Sequence, residues 1–150
     1  MPTISRTARI RGTAEDTFEA LTDLRGYGRW LDPSADYAGT IDISPGPTRV
    51  GTEYVERSRL GVRRGVVTAL RAPGLVVFHQ PMTLRPAFAG VLDIVVTYSL
   101  AATSGGVDLE RVVEVTLPPL LRPFAPLVLA RFRRESERTV DALQDFVERG

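Results

Sequence analysis

The sequence predicts an α+β protein in which a seven-stranded antiparallel sheet curves around a long C-terminal helix, with two short helices between strands one and two. Two observations carry this reading. Between residues 35 and 117, runs rich in β-branched and aromatic residues follow one another across short Gly and Pro turns, and strands joined so tightly pair antiparallel. From about residue 122 the apolar period lengthens to three and four, through Phe124, Val128, Phe132, Thr139, Leu143 and Val147, with Arg and Glu between them, which is one stripe on a helix. A sheet with one dry face needs a cover, and this helix is the only element long enough to supply it.

Each element has its own local reason. Residues 3 to 11 alternate, with Ile4 and Ile10 on one side and Arg9 and Arg11 on the other, the period of a half-buried strand. Gly12 breaks it, and Thr13-Ala14-Glu15-Asp16 supplies a capping hydroxyl and early acids for a short helix running to about Asp23. Leu24 to Leu31 forms a second, glycine-interrupted helical turn that must stop before Asp32-Pro33. Strands are then expected over 37–43, 50–59, 62–70, 75–80, 91–101 and 107–117, separated by Ser44-Pro45-Gly46-Pro47, Leu60-Gly61, Ala72-Pro73-Gly74 and Thr103-Ser104-Gly105-Gly106. Pro123 and Pro126 fit a last helix that begins near residue 122, because the first turn has unpaired amides anyway.

Composition narrows the chemistry. The 150 residues suit a single domain, 1–150, and the usage is that of an ordinary globular chain, 43% hydrophobic and 25% charged. Nineteen basic against 18 acidic residues leave a net charge of +1, so no long-range field recruits nucleic acid, and neither nucleic acid nor a membrane is expected as a partner. Without Cys, and with His79 alone among histidines, thiolate chemistry and the common zinc sites fall away, and neither a metal nor a cofactor is expected. All nineteen basic residues are Arg, which excludes a Schiff-base lysine. No phosphate-binding glycine loop and no nucleophile elbow occurs. The first residues lack an apolar run of signal-peptide length and no stretch is long enough to span a bilayer, so a cytoplasmic location is expected.

Four residues are candidates for catalysis. His79 ends the apolar run Leu75 to Gln80; it is either a general acid or base or an outward strand-end residue. Arg111 alternates with Leu109, Val113, Val115 and Leu117, so it either faces the interior, needing Glu53, Glu56 or a ligand oxygen, or snorkels to water from the strand end. Tyr98 falls in phase with Leu92, Ile94, Val96 and Leu100, and Tyr54 stands out of phase with Glu53 and Val55; each phenol either packs in the core or offers its hydroxyl to a ligand. Trp30 either closes a cavity mouth or staples helix to sheet. The apolar stretches 82–90 and 117–124 each carry Pro and Arg and read as loops forming a lid over the cavity.

This order of elements, together with Gly12-Thr13-Ala14-Glu15-Asp16-Thr17-Phe18, the stretch from Thr22-Asp23-Leu24 to Trp30, Val50-Gly51-Thr52-Glu53-Tyr54, and Asp93–Leu100 followed by Gly105–Val113, resembles the START-like or SRPBCC superfamily. Within that superfamily it is similar to the polyketide cyclase/dehydratase and lipid-transport-like family. The resemblance implies a helix-grip fold holding a small hydrophobic ligand, lipid or polyketide-like, between sheet and long helix. It also implies a binding set of Trp30, Tyr54, Phe78, Tyr98, Arg111, Phe124, Val128 and Phe132. Aromatase members place an arginine and a hydroxyl on a middle strand, where this chain offers Thr68 within 66–70 and no Arg. Three functions follow as expectations: a carrier or sensor of a hydrophobic molecule, a cyclase, aromatase or dehydratase using Arg111 with His79, Tyr54 or Tyr98, or a protein-interaction module.

Overall fold

The computed structural model describes residues 2–150. Strand β1 (Thr3–Ile10) leads into helix α1 (Ala14–Thr22), whose cap is the expected one: the Thr13 hydroxyl accepts from the Asp16 amide at 3.0 Å. A 3-10 turn over Leu24–Arg29 follows. The sheet continues with β2 (Thr40–Ile41), β3 (Glu53–Arg57), β4 (Gly61–Arg71), β5 (Leu75–His79), β6 (Met82–Leu84), β7 (Val91–Thr103) and β8 (Gly106–Thr116). A 3-10 turn over Pro119–Phe124 then feeds α2 (Ala125–Arg149).

All pairings are antiparallel, in the order β1-β8-β7-β5-β4-β3-β2. The described residues form eight strands rather than seven, because the stretch read as a lid contains β6. Strands β5 and β6 lie in one lane between β4 and β7, each pairing with both. Gln80-Pro81 separates them, since Pro81 has no amide to continue the ladder. The expected strand over 37–43 shrinks to two residues, Thr40–Ile41. Gly39 and Asp42 on either side of it take positive φ, 112° and 50°, which ends regular pairing. The long helix starts three residues later than expected, because Pro119 and Pro123 hold the preceding turn in 3-10 form.

The core lies between the concave face of the sheet and α1 and α2. Alternating residues of β7 and β8, among them Ile94, Val96, Val113 and Val115, are buried against Leu21, Val140 and Leu143 of the helices. The second half of α2 rests on β1: Val147 comes so close to Gly12 that a Cβ there would lie 2.7 Å from it. The first half of α2 is different. It buries only Ser136, at its end, and Leu127 is 69% exposed. That loosely held half sits over the site.

Candidate functional site

Inward-facing side chains of the middle strands, α2 and the loop after the 3-10 turn enclose a cavity of about 40 Å3. Its apolar wall is Phe78, Val96, Leu24 and Leu31. The remainder is polar: Tyr54 and Glu56 from β3, Arg63 from β4, Gln80, Tyr98 from β7, Arg111 from β8, and Glu135 and Thr139 from α2. A second cavity of about 20 Å3, lined by Leu60, Met82, Phe132 and Arg131 among others, shares Arg63 and Glu135 with the first. Those two side chains therefore partition one interior space.

Strand geometry explains the set. Tyr54 and Glu56 are two apart on β3, Arg63 and Gly65 two apart on β4, so each pair faces the same side. Tyr54 lies opposite Gly65 in register, and its ring fills the space that a side chain at 65 would take. The ring meets Phe78 edge to face at 5.9 Å, and Phe78 meets Tyr98 likewise at 6.2 Å. The Tyr54 hydroxyl accepts from Gln80 Nε2 at 2.7 Å.

Arg111 turns inward, as one of its two readings required, yet its partners are not carboxylates. Its Nε donates to the Tyr98 hydroxyl at 2.9 Å, its Nη1 donates to Ser136 Oγ on α2, and its guanidinium lies 5.7 Å from the Tyr98 ring centroid. Among the described residues it forms no ion pair. Arg63, 9% exposed, has an unpartnered Nε: Glu56 Oε1 stands 3.5 Å away, outside hydrogen-bond geometry. Its Nη2 donates to the Asp36 carbonyl. Arg63 Nε is thus buried beside Glu56 without a hydrogen bond, and the half-buried Arg111 meets two hydroxyls and no carboxylate, which leaves room for a ligand oxygen to pair with it.

Burial pushes the Glu56 carboxyl above its ordinary value, against the opposing pull of Arg63 and the hydrogen bond from Thr40 at 3.3 Å. A carboxyl raised in the folded state contributes stability that is complete below its unfolded value and is lost as pH rises through the folded one. The stability of wild type minus that of Glu56→Gln is therefore expected to fall as pH climbs above 4.5. Each tenfold difference in proton affinity between the two states contributes about 1.4 kcal/mol to that fall. Urea titrations across pH measure it, and a pH-independent difference would contradict the buried carboxyl. The Tyr54 and Tyr27 phenols are pushed well up, chiefly by burial, and stay neutral.

Of the residues expected to act, Tyr54, Phe78, Tyr98 and Arg111 line the main cavity, and Phe132 the smaller one. Val128 packs half-buried against the core and Phe124 is 55% exposed. The stripe that contains Phe124 bends away because the chain there is a proline-rich 3-10 turn and not α2. Trp30 is buried against Tyr27 with centroids 4.9 Å apart and does not line the cavity, so the staple describes it better than the mouth. His79 sits on the outer face of the sheet, its Nε2 2.7 Å from Asp93 Oδ1. Strand alternation puts Phe78 inward and sends His79 out. Thr68 also faces outward, donating to the Val77 carbonyl at 3.4 Å. Arg63, earlier on the same strand, does line the cavity. Arg63, Gln80 and Glu135 were not singled out in the sequence, and Thr139 only as part of the stripe on the long helix. Residues 62–67 put an arginine and a valine on both faces, so alternation does not single out Arg63, and the others depend on how α2 and the strand break are placed.

The fold and the enclosed space define a helix-grip protein with a polar-walled interior cavity. The chain belongs to the polyketide cyclase / dehydrase and lipid transport family, whose model matches residues 1–148. No curated protein matches it in sequence. Among solved structures it is similar to protein MLL2253 from Mesorhizobium loti, at 19% identity and TM-score 0.75, covering 99% of this chain and 98% of that one. It is similar also to the di-domain ARO/CYC StfQ from the steffimycin biosynthetic pathway, at 14% identity and TM-score 0.76 over 98% of this chain and 51% of that one. A third likeness is to Thalictrum flavum norcoclaurine synthase in complex with a transition-state analogue, at 13% identity and TM-score 0.71 over 97% and 93%. At such identities the likeness concerns the fold.

Proposed function

We propose that this protein binds a small amphiphilic molecule between sheet and α2, as a carrier or sensor, with an oxygen of the ligand taken by Arg111 and Tyr98 and its apolar part lying against Phe78, Val96 and Phe132. The carrying observation is Arg111: an inward guanidinium whose partners are two hydroxyls and no carboxylate. A cavity of about 40 Å3 holds only a few waters, at about 10–15 Å3 each, whereas ligand sites run to about 300–1,000 Å3. Binding therefore needs an opening, and the first half of α2, held by the Arg131–Asp36 ion pair, is the part with least packing to lose.

Thermal shift against panels of apolar carboxylates, ketones and hydrocarbons tests this. At a hundredfold excess over Kd a ligand stabilises by about 2.7 kcal/mol, a rise of roughly 5–11 °C for a chain of this size. An oxygen-bearing amphiphile is expected to raise the midpoint of wild type and not of Arg111→Leu. A hydrocarbon working equally well on both, or no shift from any class, would overturn the reading.

A second reading, a cyclase, aromatase or dehydratase type of enzyme, draws on Glu56. A buried carboxyl that holds its proton longer than usual, beside Arg111, Tyr54 and Tyr98 in one cavity, is an arrangement able to protonate a polarised carbonyl. His79, facing away, takes no part in it. The ARO/CYC protein StfQ and norcoclaurine synthase share this fold, and turnover abolished in Glu56→Gln with ligand binding retained would favour this reading over carriage.

A further inference from the structure

The two apolar stretches, 82–90 and 117–124, meet at one end of the molecule. Thr116 pairs with Asp93, so the chain beyond β8 runs beside Val91, and a Cβ on Gly90 would lie 2.9 Å from the Pro118 ring. The β3–β4 loop joins them, because the Arg85 amide donates to the Leu60 carbonyl at 2.8 Å. Here the protein exposes Phe88 (80%), Leu127 (69%), Leu120 and Phe124. Four large side chains projecting from short turns and one helix start have no internal reason to be apolar. The C-terminal stretch at this end is one-sided in charge as well, with Asp36 pairing only Arg131 among the described residues. From Val115 to Arg134 the chain carries four arginines and no acid, in a protein whose net charge is +1. Arg122, Arg133 and Arg134, and Arg85 across the seam, have no ion-pair partner among the described residues.

We propose that this end docks on an anionic phospholipid surface, Phe88, Phe124 and Leu127 entering the interfacial layer while the arginines meet lipid phosphates. Protruding apolar residues ringed by cations are what such a layer binds. No described helix is long and apolar enough to cross a membrane, so the contact is peripheral. The smaller cavity, under Phe132 and Leu60, lies at this same end, so docking sets the loosely packed part of α2 against the lipid. The proposal does not depend on which ligand the cavity takes.

Flotation of the full chain with vesicles of phosphatidylcholine alone, and of phosphatidylcholine mixed with phosphatidylserine, tests it. Wild type is expected to float with the mixed vesicles, to stay behind with the neutral ones, and to be released by salt. Arg122→Ala and Arg134→Ala are each expected to weaken binding about fivefold, and Leu127→Glu to abolish it with the thermal midpoint unchanged, since the residue is exposed. Failure to float with anionic vesicles at low salt overturns the proposal. So does capture by polyglutamate that Leu127→Glu leaves intact, which would mark an acidic protein as the partner instead.

Discussion

Alanine in place of Gly65 is expected to destabilise the fold by about 2–6 kcal/mol and to disable the cavity. The position is mid-strand in β4, opposite Tyr54. A Cβ there would lie 2.2 Å from the ring carbon Cζ and 2.5 Å from the hydroxyl oxygen. The ring cannot step aside cheaply: it is 2% exposed, edge-on to Phe78, and held by Gln80. Overpacking costs about 1–3 kcal/mol, and leaving a buried donor or acceptor unpaired costs about 1–3 more. Denaturant titration reads the loss, and the double variant Gly65→Ala with Tyr54→Leu should recover part of it, because the smaller side chain removes the clash. A neutral Gly65→Ala would mean that the Tyr54 ring does not cover this backbone, and the polar wall would have to be redrawn.

A loss of about 2–5 kcal/mol is likewise expected for Leu143→Ala, from lost burial and the void left behind. Leu143 is 0% exposed, in the half of α2 that lies on β1. The same exchange at Leu127, on the same helix but 69% exposed, should stay within about 0.5 kcal/mol. Both variants gain the same helix propensity, so the contrast isolates tertiary burial. Urea titrations of the pair measure it, and a loss below about 1 kcal/mol at Leu143 would remove α2 from its place over the sheet. Phe132 falls between these extremes, half-buried over the smaller cavity.

Some of the site was legible before any coordinates. Tyr98 and Arg111 share an unbroken alternation with apolar neighbours on β7 and β8, long strands with no bulge between them, so their inward direction follows from a period of two. Tyr54 and Phe78 follow by the same rule. Arg63 did not, because Val62-Arg63-Arg64-Gly65-Val66-Val67 places an arginine and a valine on both faces, and β4 has a register irregularity between Val67 and Ala69 that resets the phase. His79 was prominent through its titration range, a property of the side chain that carries no information about direction.

Taken alone, the sequence determined the class of fold, the order of strands and helices apart from β6, the capping of α1 and the lack of thiols, all of which depend on residue type, local period and turn chemistry. Tertiary structure decided the rest. That β5 and β6 share one lane depends on what lies beside them. That Glu56 faces Arg63, and Arg111 meets Ser136, depends on strand register and on where α2 crosses the sheet. That Gly90 meets Pro118 depends on two connections far apart in the chain ending at the same edge. Such contacts are pairwise and distant, and a one-dimensional pattern holds each partner's periodicity but not the register that joins them.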